Sequence, residues 1–251
     1  MEPQTLSEFL DWEPEYAEAI LGKGILYAGT KAIVYGRYKS MKSMLVQRLG
    51  LDVANGTPWL GIDTPPNGLP VLYLQLELPH VRLQKRVIAM GNGQRWTKKP
   101  MVFWTEHFLK LDTPLGMAKL DNHLNKWRPG LLIIDPVYKV LSGNILDAHS
   151  IQVLLDNMDK MIEKYMCSII LVSHTRKPIK DMDNGGGRSS DDLLGSVFFS
   201  AWADSVIKVE KGDGKLRVNF DVIRHAEEDI EPIIARIDPQ LTFPVDNQVI
   251  I

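Results

Sequence analysis

The stretch Gly36-Arg37-Tyr38-Lys39-Ser40-Met41-Lys42-Ser43 (GRYKSMKS) follows the apolar run KAIVY and precedes a helix-patterned run that ends in Asn55-Gly56. A phosphate-binding loop of the form G-x-x-x-x-G-K-[ST] asks for a glycine at its start and a second one just before the lysine. Gly36, Lys42 and Ser43 fall on those marks, and Met41 stands where the second glycine belongs. The setting of strand, turn and helix is the one in which backbone N–H groups and a helix dipole face an anion. Residues Gly36 to Met44 are therefore the candidate nucleotide-binding segment. Lys42 would reach the β- and γ-phosphates of ATP, and the Ser43 hydroxyl would ligate Mg2+. The plainer reading is a lysine-rich helix start.

Met41 adds a Cβ and a flexible thioether where glycine would relieve crowding. Met41, Met44 and Leu45 share one helical face at i, i+3, i+4. That spacing predicts right-handed helical backbone at Met41, with its side chain packed inward and the site intact.

Outward from the loop, strand-length apolar runs alternate with helical patterns. KAIVYG, GLPVLYLQLE, MVFWTE, GLLIID and SIILVSH read as strands. HVRLQKRVIAMGNG reads as a helix stopped at Gly91. In TPLGMAKLDNHLNKW, residues Leu115, Ala118, Leu120, Leu124 and Trp127 recur in a helical rhythm, and DAHSIQVLLDNMDKMIEKY is a long helix with Asp147 or Ser150 as cap. Continuous apolar strands between helices predict a mainly parallel sheet covered on both faces. The pair SVIKVEK and KLRVNFDVIRH, joined at Gly212-Asp213-Gly214, predicts a C-terminal β-hairpin. With no repeat or linker, the chain reads as one α/β domain over 1–251: an N-terminal segment 1–23, a core 24–225 and a C-terminal extension 226–251.

The bulk composition constrains partners more than fold. The 251 residues are 45% hydrophobic and 24% charged, enough for one large core. A net charge of −2 excludes a protein coated in nucleic acid, so any such contact is a local patch. The single cysteine, Cys167, lies in an apolar run and forms no internal disulfide, which fits a reducing cytoplasm. No run approaches the roughly 18 apolar residues of a membrane span, and no signal sequence opens the chain.

Three strand ends carry polar groups suited to phosphate chemistry. Asp135 closes LLIID, where a carboxylate holds magnesium through water, although a strand-end aspartate also caps turns. Glu77 closes the second strand and would polarise an attacking water; a solvent-facing glutamate is the plainer reading. His174 closes SIILVSH and would sense the γ-phosphate; such a histidine is also often structural.

Together, GRYKSMKS, GTPWLG, VLYLQLE, LLIIDPVYKVLSG, IILVSHTRKP and GGGRSSDDLLGSVFFSAWADSVIKVEK resemble the RecA-like P-loop ATPases related to RepA, the hexameric replicative helicase of plasmids. The resemblance runs from about Gly24 to Arg224. It implies ATP and Mg2+ as cofactors, with Lys42 and Ser43 on phosphate and metal. It further implies Asp135 as second metal anchor, Glu77 as catalytic base, His174 as sensor, and a ring of identical subunits. Met41 departs from the family pattern, as does SGNILDA after the Asp135 strand, where a more acidic stretch is expected.

The polar stretch Arg176 to Asp192 follows the sensor strand, where RecA-like proteins place a channel-facing loop. Lys177, Gly186, Gly187 and Arg188 are its candidate contacts to single-stranded DNA. Its charges nearly cancel, so electrostatics alone do not make it a DNA element, and a merely flexible loop is equally open. Arg224 is a candidate arginine finger for a neighbouring subunit, against a plain strand arginine. The six tryptophans are scattered and read mostly as packing residues.

The reading that follows is an ATPase motor or switch on single-stranded DNA in replication or recombination: helicase, helicase loader or recombinase-like factor. The alternative is a nucleotide-gated interaction module with negligible turnover. A phosphotransferase is disfavoured, since no acceptor-binding lid is recognisable.

Overall fold

Neighbouring residues of an extended strand point to opposite faces of a sheet, so a strand that is apolar throughout needs cover on both sides. A computed structural model describes residues 3–13, 17–91, 97–145, 147–175 and 196–246, the side chains of 196 and 197 excepted. In chain order the elements begin with α1 (Leu6–Asp11), β1 (Ala19–Leu21), β2 (Leu26–Tyr27), β3 (Lys31–Gly36), α2 (Lys42–Asn55), β4 (Val71–Gln75) and α3 (His80–Met90). Next come β5 (Met101–Thr105), α4 (Pro114–Trp127), β6 (Leu131–Asp135), a 3-10 turn (Val137–Val140), α5 (Ala148–Tyr165) and β7 (Ser168–His174). The last are α6 (Ser196–Trp202), β8 (Ser205–Gly212), β9 (Lys215–Ile223) and β10 (Ile233–Arg236).

Eight strands form one sheet in the order β10-β9-β8-β3-β7-β6-β4-β5. From β8 to β5 all neighbours are parallel, and β9 and β10 extend the sheet antiparallel. This is the α/β fold of P-loop nucleotide-binding domains, with the C-terminal hairpin where the Gly212-Asp213-Gly214 turn predicts it.

The strand alternation divides the core in two. Ile33, Leu72, Leu74, Leu132, Ile134, Ile169 and Leu171 pack with Leu120, Leu124, Ile151, Leu154 and Met158 of α4 and α5. Val34, Val71, Tyr73, Ile133, Ile170 and Val172 pack with Leu45, Val46, Leu49 and Val53 of α2. One helix layer therefore covers each face.

The sheet also aligns the strand ends. Gly36 pairs with His174, and Gln75 pairs with Asp135. β3 lies between β7 and β8, while its successor β4 sits three positions away, beyond β7 and β6. Such a crossover leaves a crevice at the carboxyl ends of the strands, the usual ligand site of open α/β sheets.

The structure corrects several local expectations. In α4 the buried residues are Gly116, Leu120 and Leu124, whereas Leu115 is 73% exposed and Trp127 37%. The stripe starts at a glycine because a Cβ on Gly116 would lie 1.8 Å from Lys110 O, so α4 approaches the preceding loop more closely than any side chain permits. Trp12 is likewise exposed rather than packed. The strands β1, β2 and β10 and the helices α1 and α6 are too short to show a period. β10 draws part of the segment 226–251 into the main sheet. Cys167 is buried, and burial pushes its thiol up to about 12. Among the described residues no helix is long and apolar enough to cross a membrane.

Candidate nucleotide-binding site

The turn after β3 is confined before any ligand is considered. A Cβ on Gly36 would lie 2.1 Å from Val209 O of β8, so only glycine fits there. From Gly36 the chain passes through left-handed backbone at Lys39 (φ 64°) and again at Met41 (φ 67°) before α2 begins at Lys42. Met41 is thus the N-cap of α2, in the conformation that glycine adopts without strain, and not right-handed helix as its spacing with Met44 and Leu45 predicts. Its side chain does pack inward, against the α2 side of the core together with Met44. The packing expectation holds and the backbone expectation does not.

A methionine N-cap has a further effect. Serine or aspartate at that position would accept a hydrogen bond from the first helical N–H groups. Met41 makes no such cap. The amino end of a 14-residue helix is left without a side-chain acceptor, as an anion-binding terminus requires.

Lys42 is buried, and its Nζ donates to Gly36 O at 2.9 Å, Arg37 O at 2.8 Å and Ser40 Oγ at 3.3 Å. Burial lowers its pKa from 10.5 to about 8, against the opposing pull of the Asp135 and Glu77 carboxylates. Across β7 and β6, Asp135 is buried, accepts a short hydrogen bond from Tyr73 Oη and is hydrogen-bonded by Ser43. Burial raises the Asp135 pKa while those two bonds oppose the rise. Gln47 Nε2 donates to Tyr73 Oη at 3.0 Å, so α2, β4 and β6 fix the carboxylate together.

Glu77 follows β4, past a turn in which Gln75 Oε1 accepts from Glu77 N at 2.7 Å and Leu78 N at 2.9 Å. Its carboxylate is exposed and accepts a short hydrogen bond from Tyr138 Oη. His174 packs against the rings of both Tyr38 and Tyr138, with centroids 6.0 and 5.8 Å away. Burial and then the Lys42 charge lower its pKa, opposed by Glu77, so the imidazole is neutral at pH 7.

A cavity of about 410 Å³ joins these groups: Tyr38 to Met44, Gln75, Glu77, Leu78, Arg86, Asp135, His174 and Lys211 line it. Lys42, Ser43, Glu77, Asp135 and His174, proposed from separate segments, therefore share one wall. A larger cavity of about 830 Å³ lies at the opposite end of the sheet, beside Tyr27 and His225. Its lining includes Glu227, Glu228, Asp229 and Glu231, which repel polyphosphate, so chemistry rather than volume locates the site.

Arg224 lies at that far end too, because β9 runs antiparallel to β8. It is exposed, and its Nη2 donates to Ala201 O at 2.8 Å. Within one subunit it is remote from Lys42. Lys177, Gly186, Gly187 and Arg188 lie outside the described residues.

Two cations in the cavity were not anticipated. Arg86 lies on the Leu83–Met90 stripe of α3, and its Nη1 is buried with no hydrogen-bond partner. A cation on an otherwise apolar stripe is a sequence signal for it. Lys211 comes from β8 and carries no comparable signal. The donor set fits a magnesium–nucleotide complex: an uncapped helix terminus, a lysine hydrogen-bonded by its own loop, a guanidinium with a buried nitrogen that lacks a hydrogen-bond partner, and a hydroxyl paired with a carboxylate.

A family model described as an AAA domain (AAA_25) matches residues 1–179. The chain belongs to that AAA domain family. This AAA domain is accordingly an ATPase-type nucleotide-binding domain. Its fold is similar to that of the KaiC-like protein PH0186 from the hyperthermophilic archaeon Pyrococcus horikoshii OT3. The TM-score is 0.62 at 12% identity, covering 90% of this chain and 93% of that one, a likeness of fold. No curated protein sequence matches this chain significantly.

Proposed function

We propose that the protein binds and hydrolyses ATP with Mg2+ in the cytoplasm, as a ring-forming motor or switch on single-stranded DNA, akin to the plasmid RepA helicases. The observation that carries the reading is the convergence of Lys42, Ser43, Asp135, Glu77 and His174 on one cavity at the carboxyl edge of the sheet. Lys42 exchanges its loop carbonyls for phosphate oxygens, and Arg86 supplies a second cation. Ser43 and Asp135 would hold magnesium, which would supply positive charge to offset that of the phosphates. Glu77 accepts the proton of the attacking water, and neutral His174 donates a hydrogen bond toward the γ-phosphate. Arg224 lies at the far end of the sheet, so any role for it at a phosphate site requires a neighbouring subunit.

The deciding experiment measures phosphate release with and without single-stranded DNA, beside the solution mass. DNA-stimulated release from an oligomer supports the motor. ATP binding without release supports the nucleotide-gated interaction module instead, and failure to bind ATP overturns both.

A further inference from the structure

Tyr138 lies in the 3-10 turn after β6, three residues beyond Asp135, and no step of nucleotide binding requires it. Its hydroxyl donates to Glu77 Oε1, and its ring faces His174 at 51°. Tyr38 of the phosphate loop also packs against His174, at 48°. The contacts run without a break from Tyr38 to His174, Tyr138 and Glu77. Burial and the Glu77 charge raise the Tyr138 pKa, so the phenol remains a donor at neutral pH.

The geometry points to Tyr138 as a positioning residue that holds the Glu77 carboxylate in a resting position and restrains it as a base until His174 is engaged. A carboxylate that accepts a strong hydrogen bond is less basic and is turned toward its donor. A general base must instead come within about 2.6–3.2 Å of the water it deprotonates. His174 is the group through which phosphate would displace the phenol, because the two rings are in contact. The inference rests on the assignment of Glu77 as base.

The test is Tyr138→Phe in the full chain, which keeps the ring against His174 and removes only the hydroxyl. ATP turnover without DNA is measured across ATP concentrations, and nucleotide affinity by equilibrium binding. Expected are a kcat raised about ten- to hundredfold, from release of a charge-assisted bond, with KM and affinity unchanged. The double variant with Glu77→Gln should be as slow as Glu77→Gln alone. A kcat that falls or stays level, or one that rises equally in the Glu77→Gln background, overturns the inference. If Glu77→Gln alone turns over at the parent rate, the base assignment fails first and the inference falls with it. If the parent shows no turnover, activity appearing in Tyr138→Phe supports the restraint and continued silence overturns it. Should Tyr138→Phe not fold, Tyr138→Leu carries the same expectation.

Discussion

Lys42 Nζ lies 2.9 Å from the carbonyl oxygen of Gly36, the residue that opens its own loop. The ammonium is thus satisfied by carbonyls that it must leave to reach a phosphate. Lys42→Ala should weaken ATP binding roughly ten- to hundredfold, as loss of a charge-assisted contact of about 1.5–3 kcal/mol implies. Turnover should be abolished while the circular dichroism spectrum is kept. Equal ATP affinity in a folded variant would remove Lys42 from the site.

The same burial gives a pH dependence of stability. The folded pKa of Lys42 is about 8, against 10.5 for the free side chain. Between those values the unfolded chain holds a proton that the folded chain has released, so stability rises with pH across that window. The contribution is at most about 3 kcal/mol. Denaturant titrations of the nucleotide- and metal-free protein should show this rise, and Lys42→Met should flatten it. Identical slopes would mean that the ammonium is solvated.

Glu77→Gln should bind ATP as the parent does and hydrolyse it about 10²–10⁴ times more slowly, the usual cost of losing a general base. Single-turnover hydrolysis separates this from slow product release. Parental chemistry in the variant would shift attention to Asp135.

Left-handed backbone at Met41 sets two effects against each other. Met41→Gly loses side-chain packing but relieves a strain of about 1–2 kcal/mol. Met41→Ala loses the packing and keeps the strain. The glycine variant should therefore be the more stable of the two by about 1 kcal/mol in chemical denaturation, and ATP affinity should change little in either. An alanine variant more stable than the glycine variant would contradict the left-handed assignment.

If the proposed ring forms, Arg224, remote from the phosphate loop of its own chain, would act on a neighbour's nucleotide. Arg224→Ala subunits mixed with Lys42→Ala subunits should then recover part of the ATPase activity, because one interface in the mixture joins an intact loop to an intact arginine. Proven co-assembly without recovery, or full activity of a dilute monomer, would count against the role.

Much of this arrangement is legible in the sequence because parallel strands carry two overlaid signals. LLIID and SIILVSH are almost continuously apolar, which marks them as covered on both faces, and each ends in a polar group that the sheet delivers to the site. Met41 is misread because its spacing with Met44 and Leu45 extends the helix one residue too early, and a period does not reveal a left-handed cap. Arg86 hides within a helix that reads as amphipathic, although its place between Leu83 and Met90 points inward. The Tyr138–Glu77 contact joins residues 61 apart in the chain, and no local pattern announces it.

Gly36 and Met41 bracket the same loop, yet they should respond in opposite ways to exhaustive substitution. At Gly36 every replacement drives a Cβ into the Val209 carbonyl, so a mutational scan would record intolerance whether or not nucleotide is ever bound. At Met41 the left-handed backbone admits glycine and asparagine. Folding alone would thus demand the first glycine of the motif, whereas the second position accepts a side chain at the cost of left-handed strain. Gly36 therefore reports on the neighbouring strand, and a methionine at position 41 carries little information about phosphate.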